Sequence, residues 1–156
     1  MTCNELVIVR TFDAPREAVW RAWTEPELMQ RWLGPKDFTT PFCTIDLRIG
    51  GTYLNCMRSP EGKEYWSTGR YREIVPPSLL VYTDSFADAD GKVVPATYYG
   101  MEGDFPLEML VKVTFEGESG ITLMTLRHFG LPLGEATDQC RAGWSECFDK
   151  LALSLR

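Results

Sequence analysis

The chain is poor in the residues that most often carry chemistry. It has one histidine, His128, and its five cysteines (Cys3, Cys43, Cys56, Cys140, Cys147) are odd in number and lack paired spacing. That set offers no zinc site and no disulfide framework, and it reads as reduced thiols in a cytoplasmic protein. No run of four basic residues occurs and the formal net charge is −6, which argues against nucleic acid or an anionic membrane as the main partner. No apolar run approaches the ~20 residues of a membrane span, and Met1 to Arg10 lacks the charged-then-apolar order of a signal peptide.

Partial motifs fail for physical reasons. Gly50-Gly51 has predicted strands on both sides and no Lys-Ser/Thr after it, so it is no phosphate loop. Asp88-Ala89-Asp90-Gly91 resembles part of a calcium loop, but Phe86 and Thr97 would fill the two end positions and neither can coordinate. Gly143-Trp144-Ser145-Glu146-Cys147 resembles a nucleophile elbow, yet it lies inside a predicted helix with no strand before it, so Ser145 is not a nucleophile. Neither a metal nor a cofactor is expected.

Aromatic residues are plentiful. Five tryptophans, six tyrosines and eight phenylalanines occur in 156 residues, enough to build a core and to line a pocket as well. The length suggests one domain that buries about two thirds of its unfolded surface.

The last stretch, Glu135 to Leu155, organises the rest. Ala136, Cys140, Gly143, Trp144, Cys147, Phe148, Leu151 and Leu155 fall on one helical face, with Asp138, Arg141, Ser145, Glu146, Asp149 and Lys150 on the other. Glu146 and Lys150 are spaced as an i,i+4 ion pair. Gly143 costs about 1 kcal/mol in mid-helix relative to alanine. It forms a notch beside Trp144 that a strand or a ligand would approach. Cys140 and Cys147 share the buried face and read as packing residues.

Upstream, Leu6 to Phe12 alternates as a strand. Asp13 offers an N-cap and Pro15 a helix start, and Ala18, Val19, Ala22 and Trp23 form the stripe of a first short helix. Thr24 and Glu27 form a capping box for a second, which Gly34-Pro35 ends. Strands then follow over Phe38–Ile49, Thr52–Arg58, Lys63–Val75, Leu79–Phe86, Met109–Glu116 and Ile121–His128, with a hairpin turn at Gly50-Gly51. The long connection from Ala87 to Pro106 is too apolar for a solvated linker, which suggests a segment that folds back and gates a pocket. The order implies an α+β fold with one antiparallel sheet wrapped about one helix.

A family likeness runs from about Val9 to Leu155. Asp13-Ala14-Pro15, Val19-Trp20, Ala22-Trp23-Thr24, Pro26, Arg31-Trp32 and Gly34-Pro35 open it. Asp46-Leu47-Arg48 before Gly50-Gly51, Gly69, Tyr71, Glu73-Ile74, Pro77 and Val113-Thr114-Phe115 continue it, and Leu126, His128, Gly143-Trp144 and Leu151 complete it. In this order and spacing the chain resembles the activator of heat-shock protein ATPase homologue family, of the SRPBCC (START-like) superfamily. The resemblance implies a helix-grip fold, with a curved seven-stranded antiparallel sheet around a long C-terminal helix and two short helices after the first strand. It also implies an apolar cavity between sheet and helix, and no common activity, since fold does not imply function.

Within that fold, alternation selects side chains for the cavity. Trp32, Tyr53, Tyr71, Met109, Met124, Trp144 and Phe148 are expected to give apolar contact, with Asn55 and His128 as polar anchors. Asn55 either orients a ligand or bonds the backbone near the Gly50-Gly51 bend. His128 either bonds the loop around Phe129 and Gly130 or acts on a ligand, and catalysis would need Glu73, Asp84 or Tyr71 beside it. The leading expectation is binding of a small hydrophobic or amphipathic molecule. A co-chaperone-like module that contacts a chaperone or another protein is the second reading, and a cyclase or hydrolase using the same cavity is the third.

Overall fold

The computed structural model describes residues 5–101 and 104–156, so Cys3, Glu102 and Gly103 lie outside the described residues. The first strand shows the two-residue period: Leu6, Ile8 and Phe12 are buried while Glu5, Val9 and Thr11 are exposed. Among the described residues the order is β1 (Glu5–Phe12), α1 (Arg16–Thr24), α2 (Pro26–Met29), β2 (Thr39–Ile45), β3 (Thr52–Arg58), β4 (Glu64–Val75), β5 (Leu79–Ala87), a 3-10 helix (Ala96–Tyr99), β6 (Met109–Glu118), β7 (Ile121–Phe129) and α3 (Glu135–Ser154).

The strands form one seven-stranded antiparallel sheet in the order β1-β7-β6-β5-β4-β3-β2. Because β1 pairs with β7 while β2 forms the far edge, α1 and α2 carry the chain from one edge of the sheet to the other. Register shifts within the β4–β5 pair at Tyr71/Glu73 and the β2–β3 pair at Thr39/Phe42 add local bend to the normal twist. The sheet thereby curls around α3, which is the helix-grip arrangement the sequence implied.

The core is aromatic and lies toward the C-terminal half of α3. Trp23 of α1 packs on Trp32 at 4.8 Å between ring centroids, stacks on Trp144 at 5.9 Å and meets Phe148 at 6.1 Å. Trp20 meets Phe115 edge-on at 5.7 Å. Trp32 also donates its indole N–H to the Ala22 carbonyl at 2.9 Å, which satisfies its polar end in a fully buried site. Cys147, Phe148 and Leu151 are the fully buried residues of α3.

Several local expectations are corrected. Asp13 is not the cap of α1: Pro15 holds that position, with no side-chain cap bond. The Thr24 hydroxyl donates to the Trp20 carbonyl at 2.9 Å, so it closes α1 and forms no capping box for α2. Strand β2 stops at Ile45, because Asp46 to Gly51 folds into a compact corner in which Gly51 N–H donates to Arg48 and Gly50 N–H to Tyr71. A Cβ on Gly51 would lie 2.1 Å from the Asp46 carbonyl, so only glycine closes that corner. Lys150 does not pair with Glu146. Its ammonium donates to the carbonyls of Gly34 (3.0 Å), Pro35 (3.4 Å) and Phe38 (3.1 Å), fastening the segment after α2 onto α3.

Candidate functional site

Bulky rings fill one half of the space between α3 and the sheet, and small residues face each other across the other half. On α3 the inward positions there are Ala136, Cys140 and Gly143; on β4 the inward position is Ser67. Side chains this small cannot meet across a sheet-to-helix gap of about 10 Å. A cavity of about 710 Å³ remains, within the size range of ligand sites. A second space of about 330 Å³ adjoins it and shares Pro35, Met57, Ser67, Asp84, Phe86, Met101 and Met109 as wall.

The sheet lays out the cavity floor in rows. Tyr53 on β3 lies opposite Gly69 on β4, and Asp84 on β5 lies opposite Met109 on β6. Tyr71, Tyr82, Val111 and His128 form the next row across β4, β5, β6 and β7. Gly69 is required at its position. A Cβ there would sit 1.8 Å from the Thr83 carbonyl and 2.7 Å from the Tyr53 ring. With that Cβ absent, the Tyr53 side chain lies over β4, its hydroxyl 2.8 Å from Asp84 Oδ1 and 3.1 Å from the Thr83 carbonyl.

Burial controls the ionisation of these groups. It pushes the Asp84 carboxyl up to about 6, partly offset by the Tyr53 hydrogen bond. It also raises Tyr53 and Tyr82 well above the ordinary tyrosine value, with the Asp84 charge adding to the effect. The Cys140 thiol rises to about 12 and Cys147 to about 11, again chiefly through burial, so neither is a thiolate near neutral pH.

His128 is 3% exposed and looks at α3, not at its own loop. The Trp144 indole N–H donates to His128 Nδ1 at 3.1 Å, and Cys140 Sγ lies 3.7 Å from the same nitrogen. An Nδ1 that accepts leaves the proton on Nε2. Burial lowers the imidazole to about 4, so it is neutral across the physiological range. The expected bond to the loop around Phe129 and Gly130 is not formed, and none of Glu73, Asp84 or Tyr71 is hydrogen-bonded to the ring.

Three buried side-chain polar atoms among the described residues have no hydrogen-bond partner: Trp23 Nε1, Asn55 Oδ1 and His128 Nε2. All three residues belong to the wall of the large cavity. Leaving one such group unpaired costs about 1–3 kcal/mol, and each of the three atoms is closed off within the packing of the wall. Among the described residues Asn55 makes no hydrogen bond to the Gly50-Gly51 bend.

Of the side chains singled out from sequence, Tyr53, Asn55, Tyr71, Met109, His128 and Trp144 line the cavity. Trp32, Met124 and Phe148 do not: each is fully buried in the core behind the wall. Sequence reasoning missed Trp23 and Ser67 as wall residues and named Asp84 only as a possible partner of His128. Strand alternation through Tyr82 and Asp84 could have found the acid. The rim includes Gly100, Met101 and Phe105, and Tyr99 tacks this segment to the sheet by accepting from Trp66 N–H at 3.0 Å and donating to the Ala87 carbonyl.

A curved antiparallel sheet gripping one long helix, with room left between them, defines a helix-grip protein. The family model described as Activator of Hsp90 ATPase homolog 1-like protein matches residues 13–156, and the chain belongs to that family. Similar solved structures include a protein from Chromobacterium violaceum, 28% identical with TM-score 0.78, covering 97% of this chain and 96% of that one. A protein from Nitrosomonas europaea is 25% identical with TM-score 0.78 over 97% of this chain and 93% of that one. A Silicibacter pomeroyi protein named for the same family, at 23% identity and TM-score 0.77 over 97% of both chains, shares the fold. No curated protein matches the chain. No helix among the described residues is long and apolar enough to cross a membrane.

Proposed function

We propose that this protein binds a small amphipathic molecule between α3 and the sheet. The observation that carries this reading is a cavity of about 710 Å³ between α3 and the sheet, walled mostly by apolar and aromatic side chains with Asp84, Asn55, Ser67 and His128 among them. Tyr53, Tyr71, Met109 and Trp144 would supply apolar contact, with Asn55 and His128 as the polar anchors of the wall. Trp32, Met124 and Phe148 would act from behind, holding the wall rigid. The unpaired thiols of Cys43, Cys56, Cys140 and Cys147 support a reducing, cytoplasmic setting.

Contact with a chaperone, suggested by the family name, has less support. The outer face of β1, β7 and β6 mixes exposed Val9, Leu110, Ile121 and Leu123 with Thr125, Arg127, Lys112 and Glu116, while Val93 and Tyr98 are exposed apolar residues of the long connection. Catalysis has less still, since His128 has no carboxylate or tyrosine partner among the described residues.

The test is ligand screening by native mass spectrometry and thermal shift on the wild type and on Ser67→Phe, which places a ring in both spaces. Binding by the wild type that the variant loses, with the variant still folded, is expected. Equal binding by both proteins, or none by either, removes the proposal.

A further inference from the structure

The cavity's charges are all of one sign. Its charged wall residues are Asp84 on the floor and Glu135 at the rim, and no lysine or arginine lines either this space or its neighbour among the described residues. Asp84 has one hydrogen-bonding side chain, Tyr53, and half of that donor's attention goes to the Thr83 carbonyl. With an ordinary value raised only to about 6, the carboxyl is ionised in most molecules at pH 7.5. An anion buried with so little compensation favours a counter-charge.

The surrounding surface suits a cation as well. Tyr53, Tyr71 and Tyr82 meet one another at ring-centroid distances of 5.5–6.1 Å beside the acid, and Phe86 and Phe105 close the next side at 5.8 Å. Aromatic faces around an acid are the chemistry that recognises an ammonium group.

We infer that the ligand is an organic cation: an amine or quaternary ammonium on an apolar body. This rests on the ligand-binding reading above and narrows it. The ammonium sits at Asp84 beside the tyrosine rings, and the apolar body lies against Trp144 and Met109. Fatty-acid-like anions are excluded because no cationic side chain would compensate their charge.

Calorimetric titration of the full chain at pH 7.5 and low salt with 2-phenylethylamine, 2-phenylethanol and 3-phenylpropionate tests this. The amine is expected to bind about tenfold tighter than the alcohol, and the acid weakest. Asp84→Asn should erase the amine's advantage while retaining the alcohol's affinity, which also reports that the variant is folded. Glu135→Gln, at the exposed rim, should weaken the amine about two- to threefold and leave the alcohol unchanged. An alcohol or acid that equals the amine, or an amine preference that survives Asp84→Asn, overturns the inference while leaving ligand binding in place. Failure of all three probes and of the wider screen overturns both.

Discussion

The indole of Trp144 on α3 donates to Nδ1 of His128 on β7 across 3.1 Å, joining the helix to the sheet through the chain's only histidine. The bond fixes the tautomer, turns Nε2–H into a donor without a partner, and disfavours protonation, because a protonated Nδ1 would meet the indole N–H. Burial is what sets the imidazole at about 4, so Trp144→Phe, which keeps a ring there, should cost about 1–2 kcal/mol and raise the imidazole only by what the lost hydrogen bond adds. The single imidazole makes this a clean NMR titration. A midpoint that stays near 4 would assign the shift to burial alone.

His128 and Asp84 should oppose each other in the pH dependence of stability. Between 6.5 and about 4 the unfolded chain protonates the histidine and the folded chain does not, so His128 lowers stability as pH falls. Between 3.8 and about 6 the folded chain keeps a proton on Asp84 that the unfolded chain has released, so Asp84 lowers stability as pH rises. Each slope is at most about 1.4 kcal/mol per pH unit. Urea midpoints should show Asp84→Asn weakening markedly on acidification from pH 6.5 to 4, and His128→Gln more stable at pH 4 than at pH 6. Identical profiles for the two variants would refute the pairing.

Gly143→Ala should stabilise the fold by up to about 1 kcal/mol, since the new Cβ would lie 3.7 Å from Pro35 Cγ in ordinary contact and the helix gains propensity. A rise of a few degrees in Tm is the expected reading. A fall would mean that the notch is needed for packing.

Gly69→Ala should do the reverse. Its Cβ would collide with the Thr83 carbonyl and the Tyr53 ring, forcing β4 from β5 and breaking the Tyr53–Asp84 contact. A loss of about 3 kcal/mol or more is expected in denaturant unfolding. Wild-type stability would show that the β4–β5 pair relaxes easily.

Much of the architecture was legible beforehand. The helical period of Glu135 to Leu155, the alternation in Leu6 to Phe12 and the punctuation by Gly, Pro and Asp are local, and local pattern is what binary sequence reading detects. Where it erred, a distant partner had intervened. Lys150 sits four residues after Glu146, but three carbonyls of the Gly34–Phe38 segment offered it more hydrogen bonds than one carboxylate, which itself accepts from Lys36 N–H. Phe148 and Trp32 carry the residue types of a ligand wall, yet mutual packing consumed them in the core.

The sequence by itself determined a sheet, a covering helix and inward-facing rows of side chains, because periods of 2.0 and 3.6 are properties of the backbone. Only the tertiary structure decided which inward residues touch one another and which face open volume. That choice depends on small residues meeting across the interior, with Ser67 on β4 facing Cys140 and Gly143 on α3. No local pattern records that coincidence, since it is settled by how far the sheet curls before it reaches the helix.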